Sequence, residues 1–325
     1  MEAVFLPLLS DRYLAARYEG KSTMVEVAFA TGRRIGQVLR ARNVDLLWIE
    51  KELFPYCPAV IEGCFVAGKP YVLDFDDAIF HNYDLSDRPL VRRALGQKID
   101  HLMAKARLVT VGNEYLRARA VRAGASRIER LPSVVDLDRY PINDMPYAAD
   151  PRSSCLVVIW IGSPATVHYL ELVRTPLQEF ASRMPIELRV VGAPAPTWSG
   201  VPSLTVEWSE ETEAAQLAAA HVGIMPLHDA PWERGKCGYK LIQYMACGLP
   251  VIASPVGVNA EIVTHGIDGF LAATDHQWEQ SLDRLAANPV LRRDMGRSGR
   301  TKVERAYCVQ AIAPRFAALL REAAG

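Results

Sequence analysis

Short apolar, β-branched runs recur along the chain, each separated from the next by a stretch with helical spacing. In the first half they are AVFLPLL (3–9), DLLWIE (45–50), YVLDF (71–75), RLVTVG (107–112) and RIERLPSVV (127–135). After Asp150 come LVVIWIG (156–162), IELRVVG (186–192), LTVEW (204–208), VGIMPL (222–227), VIAS (251–254) and GFLA (269–272). Runs of this kind, buried on both faces and alternating with helices, predict parallel sheets with helices packed outside. Eleven of them in two groups predict two α/β domains. The stretch between the groups, YPINDMPYAADPRS (140–153), has three prolines and no period, and reads as a linker. The tail from Pro289 onward is helical, with Pro314 expected to break or kink it.

Composition narrows the class. The chain has 325 residues, with 37 Lys plus Arg against 37 Asp plus Glu, so no global field points to nucleic acid. No apolar run approaches the ~18–20 residues of a membrane helix, and the start lacks the cationic leader of a signal peptide. Six cysteines form no C-x-x-C pair and read as reduced thiols. The expectation is a cytoplasmic protein. Charge is nevertheless uneven: eleven basic residues between Arg88 and Arg130 face only Asp100, Glu114 and Glu129, a local excess of +8. In RPLVRRALGQKIDHLMAKAR (88–107), Leu90, Val91, Ala94, Leu95, Ile99, Leu102 and Met103 recur at helical spacing. That predicts one amphipathic helix, apolar face on the sheet and all cations outward. Two readings stay open for the 88–130 block, a peripheral contact with an anionic membrane on its inner face or a solvated surface.

Ligands of doubly wound sheets bind beyond the carboxyl ends of the strands. WIGSPAT (160–166) ends the first strand of the second half, and Gly162 and Ser163 allow close approach to the backbone there. It is not G-x-G-x-x-G, which disfavours a nicotinamide dehydrogenase. The stronger signal is GKCGYKLIQYMACGLPVIAS (235–254). A helix is predicted over 239–247 with Leu241, Ile242, Met245 and Ala246 inward, ended by Gly248 and Pro250. Glycines 235 and 238 open the loop ahead of it, so backbone amides, the positive helix end, Lys236 and Lys240 converge on one spot suited to a diphosphate. A solvent-facing lysine pair beside an ordinary cap fits the same spacing.

The segment GKCGYKLIQYMACGLPVIASPVGVNAEIVTHGIDGFLA (235–272) resembles the donor-binding region of family 4 (group 1) retaining glycosyltransferases of the GT-B fold. Their pattern there is K-x-x-E-x-M-A-x-G-x-P-V-I-A, followed by G-x-x-E-I-V-x-x-G-x-x-G-F. WIGSPAT, VVGA (190–193) and EWSEETEAAQLAAAHVGIMPL (207–227) fall in the family's order. YVLDFDDAIF (71–80), VGNEYL (111–116) and LPSVVDLDRY (131–140) match its weaker first-domain pattern. The resemblance implies an α/β protein of GT-B fold, two Rossmann-like doubly wound parallel-sheet domains facing a cleft. The acceptor-side domain would span 1–145 and the nucleotide-sugar domain 146–305, with a helix over 306–325 crossing back to the first. It implies retaining transfer of a hexose or related sugar from a nucleotide-sugar to an envelope, exopolysaccharide or lipid-linked saccharide acceptor, with no cofactor and no metal. Lys236 and Lys240 would act on the leaving diphosphate, and Gly162, Ser163, Trp208, Gly235, Cys237, Gly238 and Gln243 would bind the donor. The family's two glutamates, seven residues apart, are replaced here by Gly235 and Gln243. An amide both donates and accepts, so Gln243 still suits a ribose hydroxyl, and Glu233 is an acid within reach of the loop. Family members begin with a strand, Gly-rich loop and helix ahead of the segment matched by AVFLPLLSDRYL (3–14), so the resemblance implies a start at the second strand. A nucleotide-sugar-binding protein without turnover is the competing reading.

In the first half, LDFDDAIF (73–80) crowds Asp74, Asp76 and Asp77 at a strand end, where like charges mark functional positions. D-F-D resembles the metal-binding D-x-D of the other glycosyltransferase fold. It also resembles the nucleophile motif of haloacid-dehalogenase-like phosphatases, with Asp74 attacking, although Ala78 stands where that family has Thr or Val. In family 4 enzymes this strand ends in His-Asp near the acceptor, which puts Asp76 and Asp77 in those catalytic places. Helix capping or pairing with nearby arginines is the fourth reading.

Overall fold

The computed structural model describes residues 2–18, 20–140 and 155–325; apart from Tyr140, the linker expected over 140–153 lies outside them. The chain divides into two compact units. One comprises residues up to Val111, Leu116–Arg130 and Ala317–Gly325, the other Gly112–Tyr115 and Leu131–Phe316.

The first unit runs α1 (Asp11–Tyr18), α2 (Met24–Arg40), β1 (Leu47–Glu50), α3 (Ala59–Val66), β2 (Tyr71–Phe75), α4 (His81–Asp84), α5 (Pro89–Leu95), α6 (Lys98–Lys105), β3 (Leu108–Val111), α7 (Glu114–Ala123) and β4 (Ile128–Arg130). Its four strands are all parallel and lie in the order β1-β2-β3-β4. Register sets Glu50 beside Asp74, and Asp74 beside Thr110, so three polar side chains line up at the carboxyl ends. Strand order does not reverse among these described strands, so the switch that defines double winding belongs to the second unit.

The second unit contains β5 (Leu156–Ile161), α8 (Arg174–Ala181), β6 (Ile186–Val191), β7 (Ser203–Val206), α9 (Glu213–Ala218), β8 (Val222–Met225), α10 (Pro231–Arg234), α11 (Tyr239–Ala246), β9 (Val251–Ala253), α12 (Asn259–Ile262), β10 (Gly269–Leu271), α13 (Asp275–Ala287), α14 (Pro289–Ala306) and the first half of α15 (Val309–Ala324). The sheet is parallel with order β10-β9-β8-β5-β6-β7. Strand β5 is buried throughout, because it feeds two cores. Val157, Ile159 and Ile161 join one, and Leu156, Val158 and Trp160 the other. A continuous apolar run is what a central parallel strand requires.

Three sequence expectations need correction. Residues 3–9 form no strand: Arg33 and Arg34 donate to the carbonyls of Leu6, Pro7 and Leu8 in place of a sheet neighbour. Pro314, expected to break or kink the tail, lies inside α15 without ending it. The single helix expected over 88–107 is two, α5 and α6, parted at Gly96 and Gln97, and Leu90 is 81% exposed.

Nor do all the cations of that block face outward. Lys98 is buried, its ammonium 2.5 Å from Glu52 Oε2, 3.0 Å from Glu62 Oε2 and 2.6 Å from the Phe54 carbonyl. Arg119 is bound by Asp84 at 2.6 Å and Asp100 at 2.5 and 2.9 Å. Burial, partly offset by Lys98, holds the Glu62 carboxyl above its ordinary range. A raised folded pKa means stability that is present below the ordinary carboxylate pKa and lost as pH rises through the raised value. Lys98→Met takes the cation from buried Glu62 and from part-buried Glu52 and is expected to cost about 3–5 kcal/mol near neutral pH. Part of that loss should return as pH falls and Glu62 protonates. Urea midpoints of both proteins between about pH 5 and 8 check this; equal midpoints would show the cluster to be energetically idle.

Candidate functional site

The second sheet reverses its winding between β5 and β8, and the crevice beyond such a reversal is where open α/β sheets bind ligands. The two strands pair only at Val158 with Val222 and at Ile159 with Gly223. Beyond that point Tyr244 of α11 takes over: its hydroxyl accepts from Ile161 N at 2.9 Å and donates to Ile224 O at 3.3 Å. Its ring reaches that place because residue 223 is glycine; a Cβ there would lie 2.3 Å from it. Helix α11 is therefore pinned across the mouth of the crevice.

Both ends of α11 follow from glycines. Gly238 at its start has φ +70°, and a Cβ there would meet Ile262 Cδ1 at 2.4 Å. Past its end, Gly248 N bonds to Met245 O at 2.9 Å and Leu249 N to Tyr244 O at 3.0 Å, the paired bonds of a left-handed terminus, as expected. Helix α14 backs the same terminus, Arg300 donating to Ala246 O at 2.6 Å.

The structure brings most sequence-predicted residues together at this place. Lys240 runs along Gly162, where a Cβ would lie 2.9 Å from its Cε and 2.5 Å from the Trp160 ring. The Lys240 ammonium is 5.2 Å from the Trp160 ring centre, and that of Lys236 is 5.9 Å from Tyr169. Ser163 starts a turn, its carbonyl accepting from Thr166 N at 2.9 Å. Gly192, at the end of β6, packs against Gly162 O and the Cβ of Trp208, which is half exposed. Gly235 and Cys237 are buried in the loop ahead of α11.

The partners of several polar residues went unread in the sequence. Glu213, at the start of α9, is buried and accepts from Trp208 Nε1 at 2.6 Å, Gln243 Nε2 at 2.8 Å and the Tyr140 hydroxyl. Gln243 also donates to Tyr140 at 3.2 Å. A carboxylate thus stands beside Gln243, on another helix. Burial and the bond to Glu213 push the Tyr140 phenol up, which keeps it a donor. An acid four residues before the buried Leu217 was the one available signal. Glu233 is buried and accepts from the Tyr169 hydroxyl, so it is engaged inside the loop. Asn113, read only as part of VGNEYL, donates to the carbonyls of Gly235 and Lys236 at 2.9 Å each.

In the first unit the three aspartates part company. Asp74 accepts from Thr110 Oγ1 at 2.6 Å, and burial holds its carboxyl up, which ill suits a nucleophile. Asp76 pairs with Lys51 at 2.9 Å. Burial pulls the Lys51 ammonium down, but Asp76 outweighs it and holds it up. Asp77 starts the turn into α4, its carbonyl accepting from Ile79 N at 2.9 Å. Among the described residues, no three His, Cys, Asp or Glu side chains are grouped to hold a metal ion.

Residues 157–288 match the family described as Glycosyl transferases group 1. A D-inositol 3-phosphate glycosyltransferase from Pseudarthrobacter chlorophenolicus is 29% identical over 137 residues, 42% of this chain and 31% of that protein. The chain thus spans about a third of that relative's length. Among solved structures, a sucrose-phosphate synthase from Thermosynechococcus elongatus superposes with TM-score 0.71 at 18% identity, over 92% of this chain and 79% of that one. Anabaena HepE in complex with UDP and glucose gives 0.68 at 17%, over 89% and 80%. The fold is that of the GT-B glycosyltransferases. No helix among the described residues is long and apolar enough to cross a membrane.

Gly162→Ala is expected to force the Lys240 stem and Trp160 apart and to destabilise the protein by about 1–3 kcal/mol. Gly63→Ala, within α3 with nothing inside 4 Å of the added methyl, should instead gain up to about 1 kcal/mol. Denaturant midpoints of the two variants test the contrast; equal effects would mean that the close approach at Gly162 is unimportant.

Proposed function

We propose that the protein is a retaining glycosyltransferase that moves a sugar from a nucleoside-diphosphate-sugar to an envelope, exopolysaccharide or lipid-linked saccharide acceptor. The observation that carries this is the meeting of Gly162, Lys236, Lys240 and the start of α11 at the reversal of the second sheet. A glycine strand end admits a diphosphate to the backbone, and a helix start presents free N–H groups and positive charge to it. One charge pair at 4 Å is worth about 4 kcal/mol at an effective dielectric near 20. Two lysines therefore lower the cost of charge arriving on a departing diphosphate, and no metal is needed for that task. Trp208 offers an exposed ring for the base, and Gln243 an amide oxygen for a ribose hydroxyl. The family match over 157–288 and the superposition on a UDP-bound relative support the donor class. Asp76 and Asp77 are proposed to serve the acceptor.

Incubation with a panel of nucleotide-sugars, UDP-glucose first, in the presence of EDTA, should release nucleoside diphosphate when a saccharide acceptor is supplied. Lys240→Ala should lower kcat more than it raises KM, as for a contact that strengthens in the transition state. Donor binding without release would leave a binding protein. Strict dependence on Mg²⁺ or Mn²⁺ would move the weight to the aspartates.

An acceptor held in lipid would give the basic block a purpose. With Lys98 buried and Arg119 paired, its exposed members include Arg88, Arg92, Arg93, Lys105, Arg107, Arg117 and Arg122. Anionic lipid attracts each such charge by about 1 kcal/mol, and we propose a peripheral, salt-sensitive membrane contact. Co-sedimentation with anionic but not neutral vesicles, lost at high salt, is the expected result. Failure to bind either kind at low salt would leave the block as a solvated surface.

A further inference from the structure

Helix α10 is a single turn, and a helix end leaves carbonyls without intrahelical partners. Just past its end, loop carbonyls are taken up by a side chain. Those of Gly235 and Lys236 each lie 2.9 Å from the side-chain nitrogen of Asn113, with Arg234 O at 3.4 Å. Asn113 is 1% exposed, and the same nitrogen is 3.8 Å from the sulfur of buried Cys237. Asn113 thus holds the carbonyl side of the peptides of 235 and 236, whose N–H groups bond back to Trp232 O and Glu233 O at 3.1 Å each. Two residues later the chain turns left-handed at Gly238 and enters α11.

We propose that Asn113 is a positioning residue for the nucleotide-sugar. Its two N–H groups hold the carbonyls of Gly235 and Lys236, and this sets the backbone from which Lys236 and the start of α11 meet the diphosphate. The inference rests on the reading of 235–240 as the diphosphate site. A buried carbonyl left without its donor costs about 1–3 kcal/mol, so the loop would reorient rather than stay in place unbonded.

Asn113 also directly precedes α7, the capping position, where Asp serves as well as Asn. That makes Asn113→Asp a clean probe. It keeps the size and an acceptor oxygen, removes both donors, and turns a carboxylate toward two carbonyls. The probe ligand is UDP, with affinity measured by calorimetry. The independent readout is the rate of maleimide labelling of Cys237, followed by peptide mass spectrometry, with buried Cys308 as the internal control of folding.

In Asn113→Asp, UDP should bind at least about tenfold more weakly, the equivalent of one lost hydrogen bond. Cys237 should label at least about tenfold faster while Cys308 stays slow. UDP affinity within about twofold of the parent protein overturns the proposal, whatever the labelling shows, since the amide would then order the loop without serving the donor. Failure of the unaltered protein to bind UDP or any other nucleoside diphosphate would instead overturn the diphosphate reading itself. Fast labelling of Cys308 would report misfolding. Asn113→Ser, which retains one short donor, is then read by the same two criteria.

Discussion

The second unit is organised by a parting of strands. β5 and β8 are neighbours for two residue pairs and then separate, which leaves backbone groups that a closed sheet would have paired. Buried groups of this kind must find partners, and the Tyr244 hydroxyl supplies them to both strands at once. This ties the helix carrying Lys240 and Gln243 to the place where the sheet opens. Gly223 makes room for the tyrosine, Gly162 makes room for the lysine, and Gly238 sets the entry into the helix. The crevice and its basic lining thus depend on the same few contacts.

A second cluster performs comparable work in the first unit. Lys51 and Tyr56 both hold positive φ, at 66° and 60°, which non-glycine residues adopt only when their surroundings over-determine it. The surroundings are specific. Leu53 N donates to Glu62 at 2.6 Å, Tyr56 N to the Tyr83 hydroxyl at 3.1 Å, and Lys98 to the Phe54 carbonyl at 2.6 Å. Tyr83 in turn donates to Glu52 at 2.8 Å. The buried ions fix the course of the segment that follows β1, and with it the lysine that pairs with Asp76.

What could be read in advance was whatever depends on neighbours along the chain. Helix α11, its glycine stop and ten of the eleven apolar runs are local patterns, and they formed where period and punctuation placed them. What could not be read depends on partners distant in sequence. Nothing near Lys98 announces Glu52 and Glu62, so a lysine on a basic helix looked solvated. Nothing near residues 3–9 announces that two arginine side chains would occupy their carbonyls. Asn113 and Glu213 looked like ordinary polar residues beside helices, because their partners at Gly235, Lys236 and Gln243 are distant in sequence.

The amide at position 243 constrains what else could stand there. Glu213 has two oxygens, and Trp208, Tyr140 and Gln243 donate to them. An acid placed at 243 would set two carboxylates together in the interior and take away one of those donors. Like charges so close cannot both ionise without penalty. The two positions are therefore coupled: an acid at 243 is accommodated only if residue 213 changes with it. The amide at 243 is held in place by a glutamate thirty positions away in the chain.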